Sequence, residues 1–231
     1  MTAIHLWILS VYKTVQGKLP WHDRQEWLFP ATDTRLDKSF THGPNDVDDA
    51  MLRIEVLCAK RRTCIQAGGA LGIWPIRLAQ FFDRVVTLEP HPVNYGCLLH
   101  NTDGIKAILA INAALGKEPG QVKMMLHVDE KGNSGAYYVK RGGDIQRITI
   151  DSLGLSDVDL IYLDIEGAET DALLGATDTI AKYRPVIGLE DKKNQFWRRY
   201  HYNRSPVEML VKDFGYKEIA RYHLDVILAP E

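Results

Sequence analysis

Cys64-Ile-Gln-Ala-Gly-Gly-Ala-Leu-Gly-Ile-Trp74 is the stretch that decides the fold. Residues 63–67 are a short β-prone run, the glycines at Gly68, Gly69 and Gly72 punctuate it, and a helical pattern follows, so it reads as strand, turn and helix. Glycines at the carboxyl end of a first strand let backbone come close to a ligand, and open α/β sheets bind ligands at that end. A tight connection between strand and helix gives the same pattern, so the motif alone is weak. Further apolar runs at 84–88, 107–111, 160–164 and 185–190 are mostly separated by helix-like segments. Five such runs predict an α/β fold: a parallel sheet with right-handed crossovers and helices on both faces.

The chain closes differently. Ser205-Pro-Val-Glu208 is a capping box with proline at the first helical position, and the helix it opens stops near Phe214 and Gly215. The runs 216–221 and 224–229 are too close for an intervening helix and predict an antiparallel hairpin. Upstream, residues 1–60 are rich in aromatics, prolines and turns and read as a helical and loop cap on the same domain, with 61–231 as its body. Residues 4–11 are too short to span a bilayer and predict a docked helix. A second helix is expected over 48–60, with Asp48 and Asp49 at its start. The segment from Trp27 to Asp33 has apolar anchors and polar ends that suit a lid, which makes Trp27 and Asp33 candidate substrate-binding residues.

At 231 residues and a formal charge of −2, the chain is one domain without the basic excess expected of a nucleic-acid or membrane-surface protein. A small-molecule or glycan acceptor is the expected partner. Cys58, Cys64 and Cys97 are odd in number and lack C-x-x-C spacing, so they read as reduced packing residues of a cytoplasmic protein.

Glu89 ends the second strand in Val85-Val-Thr-Leu-Glu-Pro90, where a carboxylate can accept hydrogen bonds from ribose hydroxyls. Together, Glu89 and the glycine turn specify an adenosine-type ligand, either a nicotinamide dinucleotide or S-adenosylmethionine. Ala67 stands where a dinucleotide fingerprint would begin with glycine, and there is no second domain to hold a hydride acceptor, so the second is favoured. Past the fourth strand, Asp164 and Glu166, with Glu190 from the fifth, form a candidate acidic pocket able to take a proton or hold a cation. Acids decorating a helix N-terminus are the alternative, above all for Glu169. Three carboxylates without histidine are a loose metal signature, so a divalent metal is not favoured. The basic, aromatic stretch 191–204 supplies candidate substrate contacts in Lys192, Lys193, Trp197 and Arg198 and a further candidate base in His201.

The order and spacing of Gln66-Ala-Gly-Gly-Ala-Leu-Gly72, Leu88-Glu-Pro-His-Pro92, Asn101, Asn112-Ala-Ala-Leu-Gly116, Ile150-Asp151-Ser-Leu, Asp164-Ile-Glu-Gly-Ala-Glu169 and Arg184-Pro-Val-Ile-Gly-Leu-Glu190 resembles the FkbM family of methyltransferases over roughly residues 60–230. The resemblance implies a Rossmann-like class I methyltransferase fold, with a mostly parallel seven-stranded sheet and a C-terminal antiparallel hairpin. It implies methyl transfer from S-adenosylmethionine, with S-adenosylhomocysteine as product, usually to a hydroxyl of a sugar, glycan or polyketide-like compound. Carried over, Gly68, Gly69 and Gly72 would wrap the methionine portion, Glu89 the ribose, and Ala113 and Ala114 the adenine, with Gln66, Ala67, Pro90, His91, Asn112 and Asp164 completing the cofactor set. Candidate catalytic groups are Asp164, Glu166, Glu190 and His201. Gln66 replaces the family's usual aspartate, Ala70 its frequent asparagine and Tyr162 a common lysine. These departures keep an inactive cofactor-binding module as an alternative, beside a nucleic-acid methyltransferase. The whole reading requires Gly69 and Glu89 to be neighbours.

Overall fold

The structure is a computed structural model describing residues 11–16, 19, 24, 26–35, 43–192 and 195–231, with the side chains of 43–49 and 195 outside that description. Its elements in chain order are β1 (Tyr12–Gln16), β2 (Glu26–Pro30), α1 (Gly43–Leu57), β3 (Thr63–Ala67), α2 (Ile73–Leu78), β4 (Arg84–Leu88), α3 (Pro92–Asn101), β5 (Ile108–Ile111), β6 (Ala114–Leu115), β7 (Gly120–Leu126), β8 (Tyr137–Arg141) and β9 (Ile145–Ile148). After a 3-10 turn at Asp151–Leu153 come β10 (Val158–Leu163), α4 (Glu169–Leu174), α5 (Thr177–Tyr183), β11 (Val186–Glu190), α6 (Gln195–Arg198), α7 (Pro206–Phe214), β12 (Tyr216–Tyr222) and β13 (Asp225–Pro230).

Among the described residues, seven strands form one sheet in the order β12-β13-β11-β10-β3-β4-β5. The five from β11 to β5 are parallel, and β13 runs antiparallel to both β11 and β12. This is the mostly parallel sheet with a closing hairpin that the sequence predicts. Side chains alternate between the faces of its central strands. Cys64, Leu160 and Tyr162 face a layer with Met51 and Ile54 of α1 and Leu78 of α2. Ile65, Ile161 and Leu163 face the other, with Leu173 of α4, Ile180 of α5 and Leu210 of α7. Burial on both faces, at about 1.5–3 kcal/mol for each large side chain, leaves this sheet little freedom to shift.

Several expectations are corrected. α1 starts at Gly43 and ends at Leu57, earlier at both ends than predicted, since Pro44 is tolerated in a first helical turn. The Ser205 hydroxyl accepts from Glu208 N at 3.1 Å, but the Glu208 carboxylate pairs with Lys212, so only half of the capping box forms. Trp27 is no lid residue: it lies in β2, paired antiparallel with β1, and is fully buried with Phe29 against Leu71, Ile76 and Cys97. The helix expected over 4–11 lies, apart from Val11, outside the described residues.

The largest departure is a second sheet, β6-β9-β7-β8, that the sequence reading did not foresee. It occupies the connection from β5 to β10, where a helix would ordinarily cross. The fully buried Asn101 ties the N-terminal hairpin to the glycine turn: its amide donates to Leu28 O and Leu71 O, and its Oδ1 accepts from Leu28 N. Among the described residues, no helix is long and apolar enough to cross a membrane.

Candidate active site

Strand register assembles the site. Ala67 is level with Leu88 and Leu163, Leu88 with Ile111, and Leu163 with Leu189. The next residue of each strand therefore falls on one row across five adjacent strand ends: Asn112, Glu89, Gly68, Asp164 and Glu190.

The glycine turn packs against that row. Gly68 N and Gly69 N both donate to Leu88 O, at 3.1 and 3.0 Å. Gly68 has φ +86, and a Cβ there would stand 1.9 Å from the Asp164 carbonyl oxygen. A Cβ at Gly69 would stand 2.8 Å from Thr87 Oγ1 and 3.5 Å from Glu89 Cβ. Gly69 and Glu89 are thus neighbours, as the reading required, and neighbouring protein atoms demand these glycines as much as any ligand would.

Glu89 is 5% exposed, and its carboxylate accepts from Ala70 N and His91 N, each at 2.8 Å. Burial pushes its pKa up to about 7, against the lowering effect of those two hydrogen bonds. Asn112 Nδ2 donates to Glu89 O at 2.8 Å and fixes the strand end. His91 Nδ1 caps α3, and its ring lies 4.2 Å from that of Tyr137.

Other residues expected at the cofactor sit behind it. Gln66 is fully buried, its amide donating to Ala67 O and Gly68 O while its Oε1 accepts from the Thr87 hydroxyl, so it braces the turn from within. Ala67 and Ala113 pack in the core, Ala114 is buried, and Gly72 backs onto Leu98 and Thr102. Leu115, the residue after them, lines a cavity of about 100 Å³ that the two alanines do not line. One wall of that cavity is Gly68, Ala70, Glu89 and Pro90; Met124, Ser134, Tyr137 and Val139 of the small sheet and its loop form the other; Asp164 and Glu166 stand at one end.

A buried carboxylate at the lip and bare backbone beside it fit an adenosyl ligand. The volume falls short of the roughly 300–1,000 Å³ of small-molecule sites, so admitting one would require the small-sheet wall to lift. Asp33 holds that wall down: its Oδ2 accepts from Ser134 N at 3.0 Å and from the Ser134 hydroxyl. Asn94 Nδ2 donates to Ser134 O at 2.7 Å, and Arg35 pairs with Glu130 at 2.6 Å. Asp33 is therefore a clasp, its carboxylate engaged by protein, and not a substrate contact.

Oxygens of Asp164, Glu166 and Glu190 lie within 4.8 Å of one another, a geometry able to hold a cation. That cation is supplied by the chain: Lys192 Nζ lies 2.5 Å from Glu166 and 3.0 Å from Glu190. Burial, reinforced by Asp164, raises the Glu190 pKa, while Lys192 pulls it down. Burial also raises Glu166, against the pull of Lys192. Glu169 is a structural acid, since its Oε1 accepts from Ile165 N and Gly167 N.

His127, at the end of β7, escaped the sequence reading. Its Nε2 lies 3.4 Å from Glu166 and its Nδ1 3.4 Å from Arg199 Nη2, while burial, Arg199 and Lys192 all lower its pKa. The alternating run 120–126, which this histidine directly follows, was the available signal. Of the expected substrate contacts, Lys192 reaches the acids; Trp197 is buried, Arg198 is exposed, and Lys193 lies outside the described residues. His201 lines a different cleft.

Comparison with known proteins agrees with this architecture. The O-methyltransferase of Bacillus cereus, solved in complex with SAH, is similar at TM-score 0.50 and 16% identity, over 87% of this chain and 83% of that one. The methyltransferase FkbM of Methylobacillus flagellatus KT aligns at TM-score 0.48 and 19% identity over 73% of this chain, which spans 43% of that protein's length. No curated protein matches in sequence. The fold is that of class I methyltransferases. Residues 81–218 match the family described as the Methyltransferase FkbM domain, more than half of the sequence, and the chain belongs to that family.

Proposed function

We propose that the chain methylates a hydroxyl oxygen on a sugar, glycan or small metabolite, with S-adenosylmethionine as methyl donor. The observation that carries this reading is the row of strand ends, on which Gly68 backbone and the Glu89 carboxylate adjoin Asp164, with Glu166 just beyond it. The donor supplies a methyl carbon on a sulfonium; a carbon–oxygen bond forms in line as the carbon–sulfur bond breaks, releasing S-adenosylhomocysteine. Glu89 accepts from the ribose hydroxyls. Asp164 and Glu166, which face the cavity, receive the acceptor's proton. Glu190 flanks Asp164, and Lys192 fixes Glu166 and Glu190. Because the Lys192 ammonium stands where the carboxylates converge, no divalent ion is needed to neutralise them.

Incubation with labelled S-adenosylmethionine and a panel of hydroxylated acceptors tests this. Methyl transfer to oxygen that persists in excess EDTA is expected, and failure of the demethylated cofactor to bind in calorimetry overturns the reading. The buried Gln66 amide, which leaves residue 66 without a polar group in the cavity, favours one second reading: a module that binds cofactor without turnover. Saturable binding with no methyl transfer to any acceptor would select it.

A further inference from the structure

Beside the cofactor cavity lies a larger cleft, about 620 Å³, between the face of the small sheet and the turn at 199–202. Cations converge on it: Lys117 and Arg147 from the β6 and β9 side, Lys140 and Arg141 from β8, and Arg199 from the turn. Against them stand Asp171, which shares its carboxylate between the Tyr202 hydroxyl at 2.7 Å and Arg147 at 3.7 Å, and Glu118, divided between Arg141 and Arg147 at 3.5 and 3.4 Å. Among the described residues, Lys117 and Lys140 have no carboxylate partner. In a chain of net charge −2, such a concentration of cations is local.

Arg199 connects the cleft to the acids. Its guanidinium lies 3.7 Å from the centre of the Tyr138 ring, its Nη2 reaches His127, and its buried Nη1 has no hydrogen-bond partner. His127 in turn meets Glu166, which lines the cofactor cavity, and Val139 lines both spaces. Buried guanidinium donors left unsatisfied are costly unless an acceptor completes them. Planar guanidinia beside tyrosines offer bidentate hydrogen bonds to an oxyanion and flat surfaces to a sugar ring.

We propose that this cleft is the acceptor subsite, and that the acceptor is a sugar bearing a phosphate group, its phosphate held by Arg147, Arg199 and the flanking lysines while a hydroxyl is presented to Asp164 and Glu166. The proposal rests on the methyl-transfer reading for its purpose, but phosphate binding in the cleft is measurable without turnover. The ¹⁵N-labelled chain is titrated with glucose 6-phosphate, inorganic phosphate and glucose, and separately with S-adenosylhomocysteine. Glucose 6-phosphate is expected to shift the amides of Tyr138, Lys140 and 199–202, to bind more tightly than inorganic phosphate, and to weaken with added salt. Glucose at the same millimolar concentration leaves those amides unmoved. The surface variant K140Q/R141Q, which touches neither core nor cofactor row, is expected to weaken glucose 6-phosphate by about tenfold, the loss of one to two charge-assisted contacts. Its affinity for S-adenosylhomocysteine stays unchanged. Equal shifts by glucose and glucose 6-phosphate, or shifts confined to other surfaces, overturn the proposal. So does tighter, steeply salt-dependent binding of a single-stranded oligonucleotide to the same cleft. If S-adenosylhomocysteine fails to bind while glucose 6-phosphate binds in the cleft, the methyl-transfer reading falls and the phosphate site stands.

Discussion

One wall of the candidate cofactor cavity is made of strand ends from the parallel sheet, the other of the small sheet and its loop at 127–136. The first wall is held from beneath by strands buried on both faces, and its register fixes Gly68, Glu89 and Asp164 to one another through backbone. The second rests on side-chain hydrogen bonds at its rim, from Asp33 and Asn94 to Ser134, and exposes Met125 and Val128 to solvent. The comparison separates two tasks. On the proposed function, the carboxylate for ribose and the acids for the proton sit mainly on the wall fixed by backbone register, while the proposed acceptor cleft lies against the wall held by side chains.

The sharpest way to break the rigid wall is Gly68→Ala. A methyl group would enter the Asp164 carbonyl while the backbone stays in the left-handed region, so β3 and β10 must part at their ends. A loss of about 3–5 kcal/mol is expected, read as a fall of roughly 10 °C or more in thermal midpoint and of the urea midpoint alike. A midpoint within error of the parent would show that the two strand ends are not so tightly joined.

Next in size is Glu89→Gln, which keeps the shape and removes the charge. Affinity for S-adenosylhomocysteine is expected to fall about thirtyfold in calorimetry, roughly 2 kcal/mol. The parent should show the same dependence through pH. Since burial raises the Glu89 pKa to about 7, cofactor affinity rises as pH increases through that value and the carboxylate ionises. Stability of the ligand-free chain runs the other way. Glu89 and Glu169, both raised to about 7 from 4.5, contribute stability that is fully present below pH 4.5 and lost as pH rises through about 7. That contribution is on the order of 3 kcal/mol for each group. Glu169→Gln removes the structural half of this slope and leaves the pH dependence of binding intact. An affinity flat between pH 5 and pH 8 would detach Glu89 from the ligand.

The smallest effect is expected at the small-sheet wall. In Asp33→Asn one acceptor facing Ser134 is lost, at a cost of about 1–2 kcal/mol in stability. Release of S-adenosylhomocysteine in stopped-flow should quicken several-fold as the clasp loosens. Unchanged release would mean that the loop is not the gate.

The contrast between the walls also explains what was legible in the sequence. The parallel strands appear as continuous apolar runs because both their faces are buried, and the turn residues between them punctuate the pattern. β7, in contrast, buries mainly one face and leaves only a weak alternation over 120–126, while β6 is two residues long and β9 is half-exposed, so neither of these stands out from loop. For the same reason His127 passed unnoticed, as did the charge partnership of Lys192 with Glu166 and Glu190. A histidine or lysine carries no mark of its distant partners. Trp27 and Asp33 were misread for a related cause: an aromatic beside polar turns looks the same whether it caps a site or fills a core, and only the pairing of β1 with β2 distinguishes the two.

The sequence by itself determined the alternation of strands and helices, the glycine turn, and the acids at 89, 164, 166 and 190, because local propensity and burial period are written residue by residue. Only the tertiary structure decided that Glu89, Asp164 and Glu190 share a row with Glu166 just beyond it, that Lys192 supplies a cation to Glu166 and Glu190, that Gln66 faces inward and that a second sheet roofs the cavity. Those outcomes depend on strand register and on side chains brought together from far along the chain, and long-range geometry of that kind leaves no trace in the order of neighbouring residues.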